Sequence, residues 1–228
     1  MIISIHQPSY WPWLGHLNKI KNSDFHIILD DVDVKRNSFQ YRNIFNNNGN
    51  PIYLTLPINK TSRIKINNLF FKHLNWPDEH LKKIFIYYKK SKHFDEVYSI
   101  IEPFYKYGRD MKPSDFLIST VKLSMKLLKI ETPIINSSEL NVNGHKGDRI
   151  LNLTIKINGT IYLSGKGAKK YLEEIKEQFD KKGIKIIYNN FIHPEYNQKL
   201  NLPFCSGLSC LDLLFCEGLE NAQKIIKQ

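Results

Sequence analysis

Apolar Ile2, Ile3 and Ile5 form a short run that stops at His6-Gln7-Pro8, where proline fixes the backbone and keeps a helix from starting. After Trp11-Pro12-Trp13, Leu14, Leu17 and Ile20 recur at helical spacing, so strand, loop and helix follow in that order. Phe25 to Leu29 reads as a buried strand ending on Asp30 and Asp31, before a long polar loop over 33–43. Gly49 and Pro51 then turn a hairpin into the run Ile52 to Ile58. From Asp78 to Leu128 the periodicity is helical, carried by Leu81, Ile84, Phe85 and Tyr88 and again by Leu117, Val121, Met125 and Leu128. The last third alternates: strand near Pro133 to Ser137, helix from about Asp148, strand near Thr160 to Leu163, helix from Ala168, strand near Ile184 to Tyr188. Ser209 and Asp212 read as a capping pair opening a final helix. The pattern predicts an α/β fold, a mostly parallel sheet flanked by helices with right-handed crossovers, and an additional helical segment in the middle of the chain. With no repeat, low-complexity tract or linker, residues 1–228 read as a single domain.

A chain of 228 residues, 42% hydrophobic, can bury a sizeable core without disulfides or metals. Cys205, Cys210 and Cys216 lie among apolar residues at a spacing without the close pairs of structural zinc sites, so reduced core thiols are expected and no metal site. No segment approaches the roughly 20 apolar residues of a membrane span, and the start lacks a signal-peptide pattern, which predicts a cytoplasmic protein. The net charge of +11 favours an anionic partner. Because many lysines, such as Lys82, Lys83, Lys89 and Lys90, fall on predicted helices, a solvated basic face explains that charge before a nucleic-acid surface does.

Candidate chemistry collects at predicted strand ends, where α/β sheets bind ligands. His6 is a potential general base, with Gln7 beside it and Tyr10 following; the competing reading ties the imidazole to local backbone. Asp30 and Asp31 lead into a loop carrying Lys35, Arg36, Gln40, Arg42 and Asn43, an acid pair beside groups suited to clamping phosphate or carboxylate. Ser164-Gly165-Lys166-Gly167 follows another strand, where glycines let backbone N–H groups approach an anion, although an ordinary tight turn has the same composition. Ser138 and Glu139 follow a third strand, and His193, Tyr196 and Gln198 the last.

Taken in order, His6-Gln7-Pro8 through Gly15, Leu29-Asp30-Asp31-Val32, Lys35 to Asn43, Leu54-Thr55-Leu56-Pro57, Ser137 to Leu140, Tyr162 to Gly165 with Gly167, His193-Pro194 with Tyr196 and Gln198, and Leu208-Ser209 with Asp212 to Phe215 resemble the pattern of the WbqC-like family, over nearly the whole chain. The resemblance implies surface-polysaccharide (O-antigen-type) biosynthesis and a transferase moving an acyl or aminoacyl group, glycine-like, onto a nucleotide-linked amino sugar. On that implication His6 or Asp31 is the base, Arg42 and the Gly165–Gly167 turn hold phosphate, and Asn43 or Gln7 orients the acyl group. No cofactor is firmly implied. A second reading pairs His6 with His16 as a nucleotidylyltransferase needing nucleoside triphosphate and Mg²⁺. A third is a basic nucleic-acid-binding protein, which a tRNA-linked donor would combine with the first.

Overall fold

The computed structural model describes residues 1–59, 64–198 and 203–227. In chain order the elements are β1 (Ile2–His6), α1 (Leu14–Lys21), β2 (Phe25–Ile28), β3 (Arg42–Asn47), β4 (Asn50–Thr55), α2 (Trp76–Tyr88), α3 (Phe94–Gly108), α4 (Pro113–Leu127), β5 (Ile134–Asn136), α5 (Lys146–Lys156), β6 (Ile161–Ser164), α6 (Lys169–Glu173), α7 (Lys176–Lys181), β7 (Lys185–Tyr188) and α8 (Cys210–Ile225). They divide into two compact units, one of Met1–Gln7, Gly15–Val32 and Ile130–Ile192, the other of Pro8–Leu14, Asp33–Lys129 and His193–Gln228.

The first unit is an α/β layer structure around a five-stranded, wholly parallel sheet of order β5-β2-β1-β6-β7. The expected βαβαβ run of the last third is present, but its strands are split: β5 joins one edge beyond β2, while β6 pairs with β1 on the other side. Counting the parallel strands as they occur, the order is 3-2-1-4-5, a doubly wound sheet whose switch point lies between β1 and β6.

Period-2 alternation decides which residues meet which layer. Ile3 and Ile5 of β1, Ile27 of β2 and Tyr162 of β6 share one face and pack with Ile150, Leu151 and Leu153 of α5, Leu172 of α6 and Phe179 of α7. The opposite face presents Ser4 beside His26, followed by His6, where a doubly covered parallel sheet ordinarily carries aliphatic side chains. Against that face α1 sets His16, whose ring lies 4.2 Å from that of His6 and 5.8 Å from that of His26, centroid to centroid.

In the second unit the hairpin of β3 and β4 turns through Asn48 and Gly49, both at positive φ (49° and 85°), the two-residue geometry that Asn-Gly favours. Its core is aromatic, with Tyr10, Trp11, Trp76, Tyr105 and Phe116 fully buried. The polar tips of Tyr10, Trp11 and Tyr105 are satisfied inside it: Trp11 Nε1 donates to the Tyr105 hydroxyl at 2.9 Å, Tyr105 and Tyr10 share a hydrogen bond, and Tyr10 Oη meets His80 Nδ1 at 2.8 Å, whereas Trp76 Nε1 has no hydrogen-bond partner among the described residues. The middle helices begin where proline and acids favour it, Pro77-Asp78-Glu79 in the first turn of α2 and Pro113 with Asp115 in that of α4.

Ser209 caps α8, accepting from the Leu211 N–H at 3.3 Å, and Gly218 at φ +75° kinks the helix midway. A Cβ at Gly218 would lie 2.5 Å from the His93 ring. Gly218→Ala is therefore expected to cost about 1–3 kcal/mol, from strained backbone plus overpacking, read as a lower urea midpoint at unchanged m-value. An unchanged midpoint would show that the kink does not require glycine.

Candidate functional site

The sheet gathers several expected residues along its carboxyl edge. The chain after β2 carries Asp30, whose Oδ1 accepts from Ser137 Oγ (3.1 Å) and the Ser138 N–H (3.0 Å), and whose Oδ2 accepts from Ser138 Oγ (2.6 Å). Asp31 accepts from Ser137 Oγ and is ion-paired to Arg149 on α5, which also donates to the Val142 carbonyl. Glu139 closes the turn after β5 by accepting from the Asn136 N–H at 3.1 Å. Both aspartates thus fasten the ends of β2, β5 and α5 to one another, and their oxygens are engaged in doing so.

His6 terminates β1 and reaches solvent. Its Nδ1 lies 2.8 Å from the Gln7 carbonyl; a carbonyl only accepts, so Nδ1 carries the proton and Nε2 keeps its lone pair. Close-packed surroundings, then the charge of Lys19, push the pKa of His6 below 6.5, and solvent at its edge limits the depth of that shift.

Behind His6 lies a buried polar cluster. Ser23 Oγ donates to the Ile20 carbonyl (2.7 Å) and so accepts from Ser4 Oγ (2.7 Å), leaving His26 Nδ1–H to donate to Ser4 (2.7 Å). His26 Nε2 and both ring nitrogens of His16 have no hydrogen-bond partner. Lys19, only 4% exposed, donates to the Ile5 carbonyl at 3.0 Å, and no carboxylate among the described residues pairs with it. Burial lowers its pKa from 10.5 to about 7.

Burial first, then neighbouring cations, hold His16 and His26 well below 6.5. Unfolding lets both take protons near their ordinary pKa, so their stabilising contribution is complete above 6.5 and falls away as pH drops through it. Unfolding free energy should fall by about 1–2 kcal/mol between pH 8 and pH 6 from these two rings alone, measured by urea titration. A flat profile would mean that the rings are already protonated or solvated in the fold.

Beyond β6, Ser164 is buried with its hydroxyl on the Gly165 carbonyl (3.3 Å), and Lys166 is exposed and bonded to Asn190 (2.7 Å). Neither Gly165 nor Gly167 has positive φ, and a Cβ at either would meet nothing within 4 Å. Conformation and packing therefore leave those positions open, as close approach of a ligand to backbone requires. The helix that follows is only five residues long, after a 3-10 turn, so the turn does not abut a long helix dipole.

The other expected residues belong to the second unit. Tyr10 is a core residue. Asn43 donates to the Tyr10 and Trp11 carbonyls (3.1 and 2.6 Å), and Gln40 accepts from the Lys35 N–H (3.0 Å), so both side chains hold backbone. Arg42 lies 4.1 Å over the Tyr53 ring and donates to the Asn37 carbonyl (2.7 Å), while Lys35 and Arg36 are exposed. His193 Nδ1 donates to the Pro194 carbonyl (2.9 Å). Tyr196 and Gln198 converge on Asp212, donating to Oδ2 at 2.8 and 3.0 Å. Ser209 thus serves as the cap, while Asp212 turns inward.

Sequence reasoning missed Lys19, His26, Arg149 and this role of Asp212. The available signals were a histidine inside the apolar run of β2 and the polar spacing of Ser4 with His6, which places a polar stripe on a buried face. Among the described residues, no group of three or more His, Cys, Asp or Glu is placed to hold a metal ion, and no helix is long and apolar enough to cross a membrane.

No solved structure matches the chain. Among curated proteins, the uncharacterized protein Rv1507c of Mycobacterium tuberculosis (strain ATCC 25618 / H37Rv) is 26% identical over 220 residues, 96% of this chain and 94% of that protein. The model of the WbqC-like protein family matches residues 7–224, a span that takes in the glycine turn, Asp30, Asp31 and the Asp212 network, and the chain therefore belongs to the WbqC-like protein family.

Proposed function

We propose that this chain is a cytoplasmic transferase of surface-polysaccharide assembly, moving an acyl or aminoacyl group onto the amine of a nucleotide-linked amino sugar, with His6 as general base. The observation that carries the reading is His6 itself: a ring held in one tautomer by the Gln7 carbonyl, its Nε2 lone pair unused, at the end of the central strand beside the switch point. As the new C–N bond forms, Nε2 takes the amine's proton, and the resulting imidazolium returns it to the leaving group. Burial first, and the charge of Lys19 second, disfavour the imidazolium and keep the base unprotonated at neutral pH. The open Gly165–Gly167 turn suits the diphosphate of the sugar nucleotide, with Lys166 beside it. Asp30 and Asp31 fix the edge rather than take protons, since their oxygens are held by Ser137, Ser138 and Arg149. A tRNA-linked aminoacyl donor would give the net charge of +11 a role.

The contact of His6 with His16 favours a second reading, nucleotidyl transfer with Mg²⁺ bound to the triphosphate. The deciding experiment incubates purified protein with nucleotide-linked amino sugars plus acyl-CoA or aminoacyl-tRNA, and separately with nucleoside triphosphates and sugar phosphates, reading products by mass. A mass gain on the amino sugar supports the first reading. Release of pyrophosphate supports the second, and neither product overturns both.

A further inference from the structure

The second unit contains a cavity of about 210 Å³ that none of the foregoing chemistry uses. Its wall includes Asp212, Asn46, Tyr88 and Gln198, together with the exposed Lys90 and Lys92. Asp212 is fully buried, and its two oxygens differ. Oδ2 accepts from Tyr196 and Gln198, whereas Oδ1 has no hydrogen bond. Tyr88 and Asn46 stand near enough to temper the carboxyl's pKa, yet neither reaches Oδ1 with hydrogen-bond geometry. Burial nevertheless pushes that pKa up, the mark of a carboxylate short of compensation. Neither Lys90 nor Lys92 has an ion pair among the described residues.

We propose that this cavity binds a small ligand carrying a primary ammonium and an anionic group, the ammonium donating to Asp212 Oδ1 and the anion lying against Lys90 and Lys92. A carboxylate with a vacant acceptor selects a cationic donor, and two free ammonium groups select a carboxylate or phosphate. The volume lies below the roughly 300–1,000 Å³ of pockets for larger organic ligands, which limits the occupant to a small molecule. Asp212 also anchors the segment of Tyr196 and Gln198 to α8, so ligand occupancy would tighten that anchor.

Calorimetric titration of the whole chain tests this with O-phosphoethanolamine and β-alanine, against ethanolamine, inorganic phosphate and acetate. Either bifunctional probe should bind at least tenfold more tightly than its separate halves, and their ranking distinguishes phosphate from carboxylate. Lys90→Ala/Lys92→Ala should lose that advantage without a change in melting temperature, since both side chains are exposed, and Asp212→Asn should lose it too. His6→Gln should bind as the parent does, so this site and the proposed transferase site can fail separately. Equal affinity for the halves, no binding of either probe at millimolar concentration, or indifference to the lysine substitutions overturns the proposal.

Discussion

Lys19→Met is expected to stabilise the protein by about 3–4 kcal/mol near pH 7 and to move the acid limb of turnover to higher pH. Methionine keeps the length and apolar stem of the side chain while removing a charge that is 4% exposed and has no acidic partner among the described residues. The folded state lowers the pKa from 10.5 to about 7. Below about 7 the ammonium is charged in both folded and unfolded chains, so the full penalty of burying it is felt. Above 10.5 both are neutral and the penalty is gone. In between, the variant's advantage shrinks by about 1.4 kcal/mol per pH unit, which urea titrations from pH 6.5 to pH 10 will read directly. The lost hydrogen bond to the Ile5 carbonyl subtracts about 1 kcal/mol and is already included. An advantage that did not change with pH would mean that Lys19 is solvated and does not tune His6.

His6→Gln is expected to lower kcat for group transfer by about 10²–10⁴-fold, the usual worth of a positioned general base. Glutamine retains a side-chain amide able to donate to the Gln7 carbonyl but offers no basic nitrogen, and at this exposed strand end the urea midpoint should hold within about 0.5 kcal/mol. The parent's kcat should fall in acid as His6 protonates, at a pH below 6.5. In Lys19→Met the nearby charge that disfavours imidazolium is gone, so activity should fall off at a higher pH than in the parent. Retained turnover in His6→Gln, with an acid limb unchanged, would remove His6 from the mechanism.

Strand ends were legible because apolar runs stop at polar residues, and His6, Asp30, Asp31 and Ser164 all follow from that rule. The pairing of β6 with β1 was not, since local periodicity says what kind of element forms and nothing about its neighbour. The same limit hid Lys19 and Arg149. A cation on a helix reads as solvated until the helix has a face against something, and here α1 turns Lys19 toward the Ile5 carbonyl while α5 brings Arg149 to Asp31. Tyr10 misled in the opposite sense. Its ring suits either a ligand or a core, and only the partners of its hydroxyl, His80 and Tyr105, decide for the core. Asp212 fitted a capping pattern that Ser209 alone fulfils, because a carboxylate's direction is not encoded by its distance from a helix start.

The register of β1 against β6 also sets a timetable. Ile2 pairs with Ile161, so β1 leaves the ribosome 159 positions ahead of the neighbour it needs (161 − 2 = 159). Until then β1 has only β2 beside it, and its free edge, carrying Ile3 and Ile5, is a ready template for the wrong strand. The site around His6 is for the same reason a late product of synthesis, and a message truncated anywhere before the codon for Ile161 should yield an aggregating chain and a client for chaperones rather than a chain with a partly formed site.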